Sequence, residues 1–391
     1  MSTTVFAYRT RWVILVVGIL FVLLISLLEG CASKAEKVTA HSLTFEGKLS
    51  LLQVPQPYVI PSKLVAGLDH TFWFPAIASS HFGTSQPSGA IGHLLPNGSF
   101  HLFPLPTLNS YPTHLAIAQD GTLWFTAIQG NGQVVKGIDT PPFFRDERGE
   151  IGKMTVDGTF SLFTLPSPSD ASPTGITVGP DGTIWFTEII NSGTTSTNSR
   201  IGRLTPSRAI SEFPVIIPHE TSFTTGPLVV GPDGNLWFAV ESVGPDESAL
   251  GKMGRMTPQG TLMIFPLGKF IIPFDLTIGP DHNLWFTANT SIGYMTMNGH
   301  LRTFVPPGNQ STQIALGGIT VGTDGALWFA TLNATVGRIA TDGTFTFYPF
   351  PADTLFDNGK SSLTLNYQRG ITSSSDGTFW LTDVKQIGHI I

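Results

Sequence analysis

Three observations in the sequence predict an all-β fold: a seven-bladed β-propeller of four-stranded antiparallel blades, its ring closed by an N-terminal strand that completes the last blade. A tryptophan recurs seven times in one apolar context. An Asp-Gly pair precedes most of these tryptophans. The last repeat stops one strand short.

Composition suits such a fold. The 391 residues carry 41% hydrophobic side chains, only 12% charged ones, 42 glycines and 29 prolines. The charged share is about half the usual value for a globular protein. Abundant Gly and Pro without long helix-forming runs favour many short strands joined by tight turns.

The tryptophans stand in FWF at Trp73, LWF at Trp124, IWF at Trp185, LWF at Trp237, Trp285 and Trp328, and FWL at Trp380. A short strand (a) and an Asp-Gly turn lead into most of them, as in ITVGPDGTIWFTE over residues 176–188. Asp-Gly between apolar runs is a strong hairpin signal, because Gly accepts the positive φ of a tight turn. The Trp strand (b) is followed by an Ile-Gly strand (c), as in RIGRLTPS (200–207), and then by a strand (d) ending near Phe-Pro, as in GTLMIFPL (260–267). Proline donates no ladder hydrogen bond, so it is expected to end pairing there. Four strands repeated every 40–60 residues or so are the signature of a propeller. Packing between neighbouring blades accounts for all seven tryptophans without a ligand.

The last repeat ends at Ile387-Gly388-His389-Ile390, which is a strand c. The segment FEGKLSLLQVP (45–55) has the layout of a strand d and is expected to close blade seven. Such closure leaves no open sheet edge.

Ahead of the ring lie Arg9 and Arg11, an uncharged run from Trp12 to Leu28, and Leu28-Glu29-Gly30-Cys31. A basic flank, an apolar stretch and a small residue before the cut describe an export signal. The Leu-x-Gly-Cys ending resembles a bacterial lipobox, which marks Cys31 for lipidation. The alternative is an uncleaved signal anchor, since the apolar run is barely long enough to span a bilayer. Residues 1–31 are thus read as signal peptide or anchor, 32–42 as a tether and 43–391 as the propeller, held on the extracytoplasmic side of the membrane. With one cysteine, no intramolecular disulfide can form. Net charge is −6 and no basic cluster appears in the mature region, so nucleic acid is not an expected partner. A propeller of this size needs no second copy to bury its core, so a monomer is expected.

Strand order places the short a–b and c–d turns on one face and the variable b–c and d–a connections on the other. Long connections fall at about 128–149, 193–199 and 351–368. A binding site for a small molecule, peptide or lactone is expected on that loop face, near the central channel. The candidate lining residues are His114, Glu188, Asp275 and Arg369, with Asp383 nearby. His81, His93, His101, His219, His282, His300 and His389 fall in turns or at strand positions expected to face solvent. No phosphate-binding glycine loop, Cys/His metal spacing or Gly-x-Ser-x-Gly elbow occurs.

The repeat P-x-G-I-x-x-G-P-D-G-x-L-W-F-T-E followed by I-G-R-[ILM]-T resembles the streptogramin B lyase (virginiamycin B lyase) family. Blade three carries it from Pro173 to Glu188 and from Ile201 to Thr205, and the similarity extends over about 45–391. The resemblance implies a seven-bladed propeller that linearises cyclic depsipeptide antibiotics by elimination at a threonyl ester, assisted by Mg²⁺. It implies catalytic histidines eleven residues before the repeat tryptophan in two successive blades, with an acidic residue three after it. Here the first positions are Ser62, Thr113, Thr174, Gly226, Phe274, Gly317 and Arg369, and none is histidine. Among the second, Glu188 and Asp383 are acidic.

His114 stands one residue beyond the implied position, where strand alternation would aim it at the opposite face unless a bulge intervenes. The sequence therefore reads as a binding or scaffold propeller without the family's histidine pair. The alternative is an Mg²⁺-dependent lyase in which His114 is the base and Glu188 or Asp383 helps to hold the metal. A channel-metal lactonase would need a ring of acidic and amide side chains, for which Asp275 and Asn289 are isolated candidates.

Overall fold

The computed structural model describes residues 41–42, 49–60, 62–81, 84–130, 148–166, 171–191, 197–220, 223–243, 248–289, 291–307, 316–331, 335–349, 370–383 and 386–390. Seven antiparallel sheets follow one another along the chain. Blade two is representative, with strands a to d at Ser110–Ile117, Leu123–Gln129, Arg148–Met154 and Phe160–Thr164. In blade seven, strands a to c are Ile371–Ser373, Phe379–Asp383 and Gln386–Ile390. Strand d is the N-terminal Leu49–Gln53, paired antiparallel to strand c from Leu49↔Ile390 to Gln53↔Gln386. The expected closure is present.

Two features differ from the sequence expectation. His41–Ser42, at the end of the expected tether, pairs in parallel with Thr346 and Phe347 on the outer edge of blade six, which gives that sheet a fifth strand. In blade four, strand d runs through Pro266 to Lys269, because a bulge at Gly251/Lys252 lets the ladder resume past the proline.

The turns adopt the predicted chemistry. Gly121, Gly182, Gly234, Gly325 and Gly377 close a–b turns at positive φ, and His70 and His282 adopt the same conformation in blades one and five. The turn aspartate has two tasks. Its carboxylate accepts a backbone N–H two residues on, as in Thr183 N–H to Asp181 at 3.0 Å. In blades four to six it also accepts the indole N–H, at 2.9 Å from Trp285 to Asp281.

Each tryptophan packs into the next blade. Trp185 of blade three joins a core cluster with Leu228, Leu236 and Phe238 of blade four, and Trp380 of blade seven joins one with Phe72 and Phe74 of blade one. The phenylalanine after the tryptophan turns the other way and lies flat over strand c of its own blade. A Cβ on the Ile-Gly glycine would fall inside that ring in blades one to six, where Gly92 faces Phe74, Gly152 faces Phe125, and Gly202 faces Phe186. These rings are fully buried, and burying a Phe contributes about 1.5–3 kcal/mol. That close approach is why the repeat carries Ile-Gly.

Gly202→Ala should therefore overpack blade three by about 1–3 kcal/mol. A lowered Tm, with the folded far-UV signal retained below it, is the expected result.

Candidate functional site

Strands a run side by side around the inner ring, and their hydrogen bonding sets the site. In blades two to six the a–b ladder slips by a residue or more, between Pro112 and His114 in blade two, Pro173 and Gly175 in blade three, and Pro273 and Asp275 in blade five. The threonine of Trp-Phe-Thr fills the gap. Thr126 Oγ1 accepts from His114 N–H at 3.1 Å, Thr187 Oγ1 from Gly175 N–H at 2.8 Å, and Thr382 Oγ1 from Gly370 N–H at 2.8 Å. A bulge re-aims the side chain beside it. The alternation argument against His114 therefore fails: its side chain lies beside Lys63 and Asp275, which stand ten before their own tryptophans as His114 does.

At that position the seven blades present Lys63, His114, Gly175, Pro227, Asp275, Gly318 and Gly370. Lys63 of blade one reaches Asp275 of blade five, its Nζ 2.9 and 3.0 Å from the two carboxylate oxygens. Residues from blades so far apart in the ring meet only across its axis. Asp275 is buried and also accepts from Leu276 N–H and Ile319 N–H, each at 3.0 Å. The space around the pair is tight: a Cβ at Gly370 would strike Lys63, and one at Gly318 would press on blade seven backbone. The ion pair spans the axis at this level.

His114 belongs to the same cluster. Its ring keeps a strip of solvent contact, yet Nδ1 is wholly enclosed and has no hydrogen-bond partner among the described residues. Burial pushes its pKa down to about 4, Lys63 pushes in the same direction and Asp275 opposes them. The imidazole is neutral at neutral pH.

The structure thus unites His114 and Asp275 through Lys63, a residue the sequence reading missed. The signal was available, since Lys63 lies ten before Trp73 just as Asp275 lies ten before Trp285, so Asp275 is not isolated. Glu188 is fully buried on strand b of blade three, opposite Pro173 and Arg200. Asp383 ends strand b of blade seven, its backbone paired with Gln386. Arg369, Cys31 and most of the long connections (131–147, 192–196 and 351–369) lie outside the described residues. At the position implied for the family's base, Thr113 Oγ1 lies 2.7 Å from Thr126 Oγ1. Thr174 Oγ1 lies 2.9 Å from Thr187 Oγ1 and donates to the Thr225 carbonyl at 3.1 Å. Both hydroxyls are committed to holding neighbouring strands.

Mg²⁺ favours oxygen ligands, usually one or two carboxylates with several waters. Among the described residues no three His, Cys, Asp or Glu side chains converge, and Asp275 already takes Lys63 and two backbone donors. The described donor set does not fit the ion.

Comparison with known proteins agrees with the repeat. The model of the Virginiamycin B lyase family matches residues 132–269 and, overlapping them, 193–356. A virginiamycin B lyase from Nocardia farcinica (strain IFM 10152) is 33% identical over 242 residues, 61% of this chain and 70% of the relative. Among solved structures, a streptogramin B lyase is 25% identical with a TM-score of 0.64, over 88% of this chain and 97% of the other. A catalytically inactive histidine-to-alanine variant of virginiamycin B lyase from Staphylococcus aureus, with quinupristin, is 25% identical with a TM-score of 0.65, over 88% and 99%.

The axial pair makes an asymmetric prediction. Asp275→Ala strands two backbone N–H groups and an ammonium, and should cost about 3 kcal/mol or more. Lys63→Met leaves the buried Asp275 carboxylate two backbone donors but no counterion, and because the lysine is itself partly exposed the cost should be smaller, about 1–3 kcal/mol. Denaturant unfolding of the two variants checks the order. His114 adds a pH dependence: its folded pKa lies below the unfolded value of about 6.5, so its contribution is complete above that pH and is lost as pH falls toward 4.

Proposed function

The chain belongs to the virginiamycin B lyase family, and on that premise we propose that it is a binding propeller rather than a lyase of the family's histidine type. It takes a small-molecule, peptide or lactone ligand on the loop face, above the axial Lys63–Asp275–His114 cluster. One observation carries this reading: the positions for the family's base hold no histidine, and in blades two and three they hold threonines whose hydroxyls bond the ring together. Export by residues 1–31, acylation at Cys31 and a place on the extracytoplasmic side of the membrane complete the proposal, with the protein acting as a monomer. Arg369 and Asp383, beside the entry to strand a and at the end of strand b of blade seven, are proposed ligand contacts on the same face.

A second reading rests on His114. Its enclosed, unbonded Nδ1 beside an ammonium is a possible base for elimination: the nitrogen takes a Cα proton, the Cα=Cβ bond forms, and the ester C–O bond breaks to release a carboxylate that Lys63 receives. Glu188 would assist from blade three. General-base efficiency falls as the base weakens, however. A nitrogen whose conjugate acid has a pKa of about 4 is poorly matched to a carbon acid at neutral pH. The electrostatics therefore favour binding.

Full-length protein in mild detergent, incubated with quinupristin with and without Mg²⁺, tests the choice. Elimination conserves mass, so the product is sought by chromatographic shift and fragmentation. Intact quinupristin after prolonged incubation with folded protein is expected. A linear product that disappears in His114→Ala overturns the binding reading in favour of the second. The anchor is tested separately: palmitate label should enter the wild-type chain in bacteria and be lost in Cys31→Ser.

A further inference from the structure

The residue after the strand c glycine (Ile-Gly in five blades, Met253-Gly254 and Val336-Gly337 in blades four and six) lies opposite the tryptophan in the b–c ladder. These residues are His93, Lys153, Arg203, Arg255, Tyr294, Arg338 and His389, facing Trp73, Trp124, Trp185, Trp237, Trp285, Trp328 and Trp380. Blades two to five cover the indole with a permanent cation or a phenol. Lys153 Nζ lies 5.5 Å from the Trp124 ring, the Arg203 guanidinium 5.7 Å from Trp185 and that of Arg255 5.5 Å from Trp237. Tyr294 packs at 5.1 Å on Trp285. Arg338 instead pairs with Asp324, which also holds the Trp328 indole N–H. Blades seven and one use histidine. His389 stacks on Trp380 at 4.0 Å and 12°, and His93 on Trp73 at 3.7 Å and 4°. The two were expected to face solvent. Instead their Nε2 atoms are enclosed, with no hydrogen-bond partner among the described residues.

Because each tryptophan packs into the following blade, Trp380 fills the interface of blades seven and one, and Trp73 that of blades one and two. Blade one, with strands Val65–Ala66, Phe72–Ile77, Gly89–Leu94 and Phe100–Pro104, is therefore flanked by histidine-covered interfaces on both sides. One of these is the seam where the chain's ends meet without a covalent link. There Phe72 packs at 4.8 Å on Trp380, Thr372 Oγ1 donates to the Leu64 carbonyl at 2.6 Å, and Ser375 Oγ lies 3.1 Å from His70 Nδ1.

We propose that blade one, with the closing strand Leu49–Gln53, is an acid-releasable segment of the ring. Its two interfaces are the ones covered by uncharged histidine where the other blades place lysine, arginine or tyrosine.

The physical reason is reach. Arg255 and Arg203 lie over their tryptophans and still deliver N–H groups to the carbonyls of Met297 (2.8 Å) and Pro258 (3.2 Å). An imidazole stacked flat on the indole extends no further, so a proton on Nε2 would be enclosed without an acceptor. Cation–π attraction would return about 0.5–1 kcal/mol, against about 1–3 kcal/mol or more for an unsatisfied buried donor. The groups facing His93 are Trp73, His101 across the c–d ladder, and Asp69 in the a–b turn. Those facing His389 are Trp380, Ser50 of the closing strand, and Asp376, near which His70 also lies. Burial lowers the pKa of both imidazoles; Asp69 opposes it at His93 and Asp376 at His389, while His101 adds to it at His93. Stability from a group held below its unfolded pKa is complete above about pH 6.5 and is lost as pH falls below it.

Amide hydrogen exchange of the full-length protein in detergent, at pH 7.5 and 5.5 and corrected for intrinsic rates, tests the proposal. Residues 49–60 and 62–105 should open several-fold more at the lower pH, with a clearly smaller change in blades three to five. His93→Arg with His389→Arg, placing in these blades the residue found in blades three and four, should abolish the difference. His93→Tyr with His389→Tyr, copying Tyr294, serves if the arginine pair does not fold. His114 titrates equally in all these proteins and cancels. Equal protection of blade one at the two pH values overturns the proposal. So does acid opening that survives the replacements.

Discussion

The tryptophan of each blade is covered from two sides, and the rest of the ring follows from that. One side of the indole meets the next blade; the other meets the residue after Ile-Gly on strand c of its own blade. The turn aspartate holds the indole N–H in blades four to six, and the adjacent Phe is received by a glycine. Four residue types that recur at fixed spacing are therefore parts of one contact. Every blade leans on the next, and the N-terminal strand on blade seven completes the circle.

Inside that ring the residues nearest the axis are set by a second repeated device. In blades two, three and seven a threonine two residues after the tryptophan accepts the N–H of the residue ten before it. Four blades offer only Gly or Pro there, and three offer Lys, His and Asp. The Lys63–Asp275 contact ties distant blades of the ring across its axis. His114 lies beside that pair.

Family membership rests on the repeat, which maintains packing between blades. At the positions eleven before Trp124 and Trp185 stand threonines that bond neighbouring strands. A shared scaffold does not by itself fix the chemistry placed on it.

By itself the sequence determined the architecture: seven Trp repeats, the Asp-Gly turns and the strand missing after Ile390 left one closed ring, because local patterns of period two and tight-turn residues specify strands and hairpins directly. It also offered His114 and Asp275, together with Glu188, Arg369 and Asp383, as candidate lining residues of the loop face. Only the tertiary structure decided that His114 turns inward, since a one-residue bulge reverses strand alternation, and that Asp275 is held by Lys63, 212 residues away along the chain. The stacking of His93 and His389 was decided there too. The residue after Ile-Gly reads as an exposed polar strand position, and the register that lays it on a tryptophan becomes visible only when strands b and c are paired.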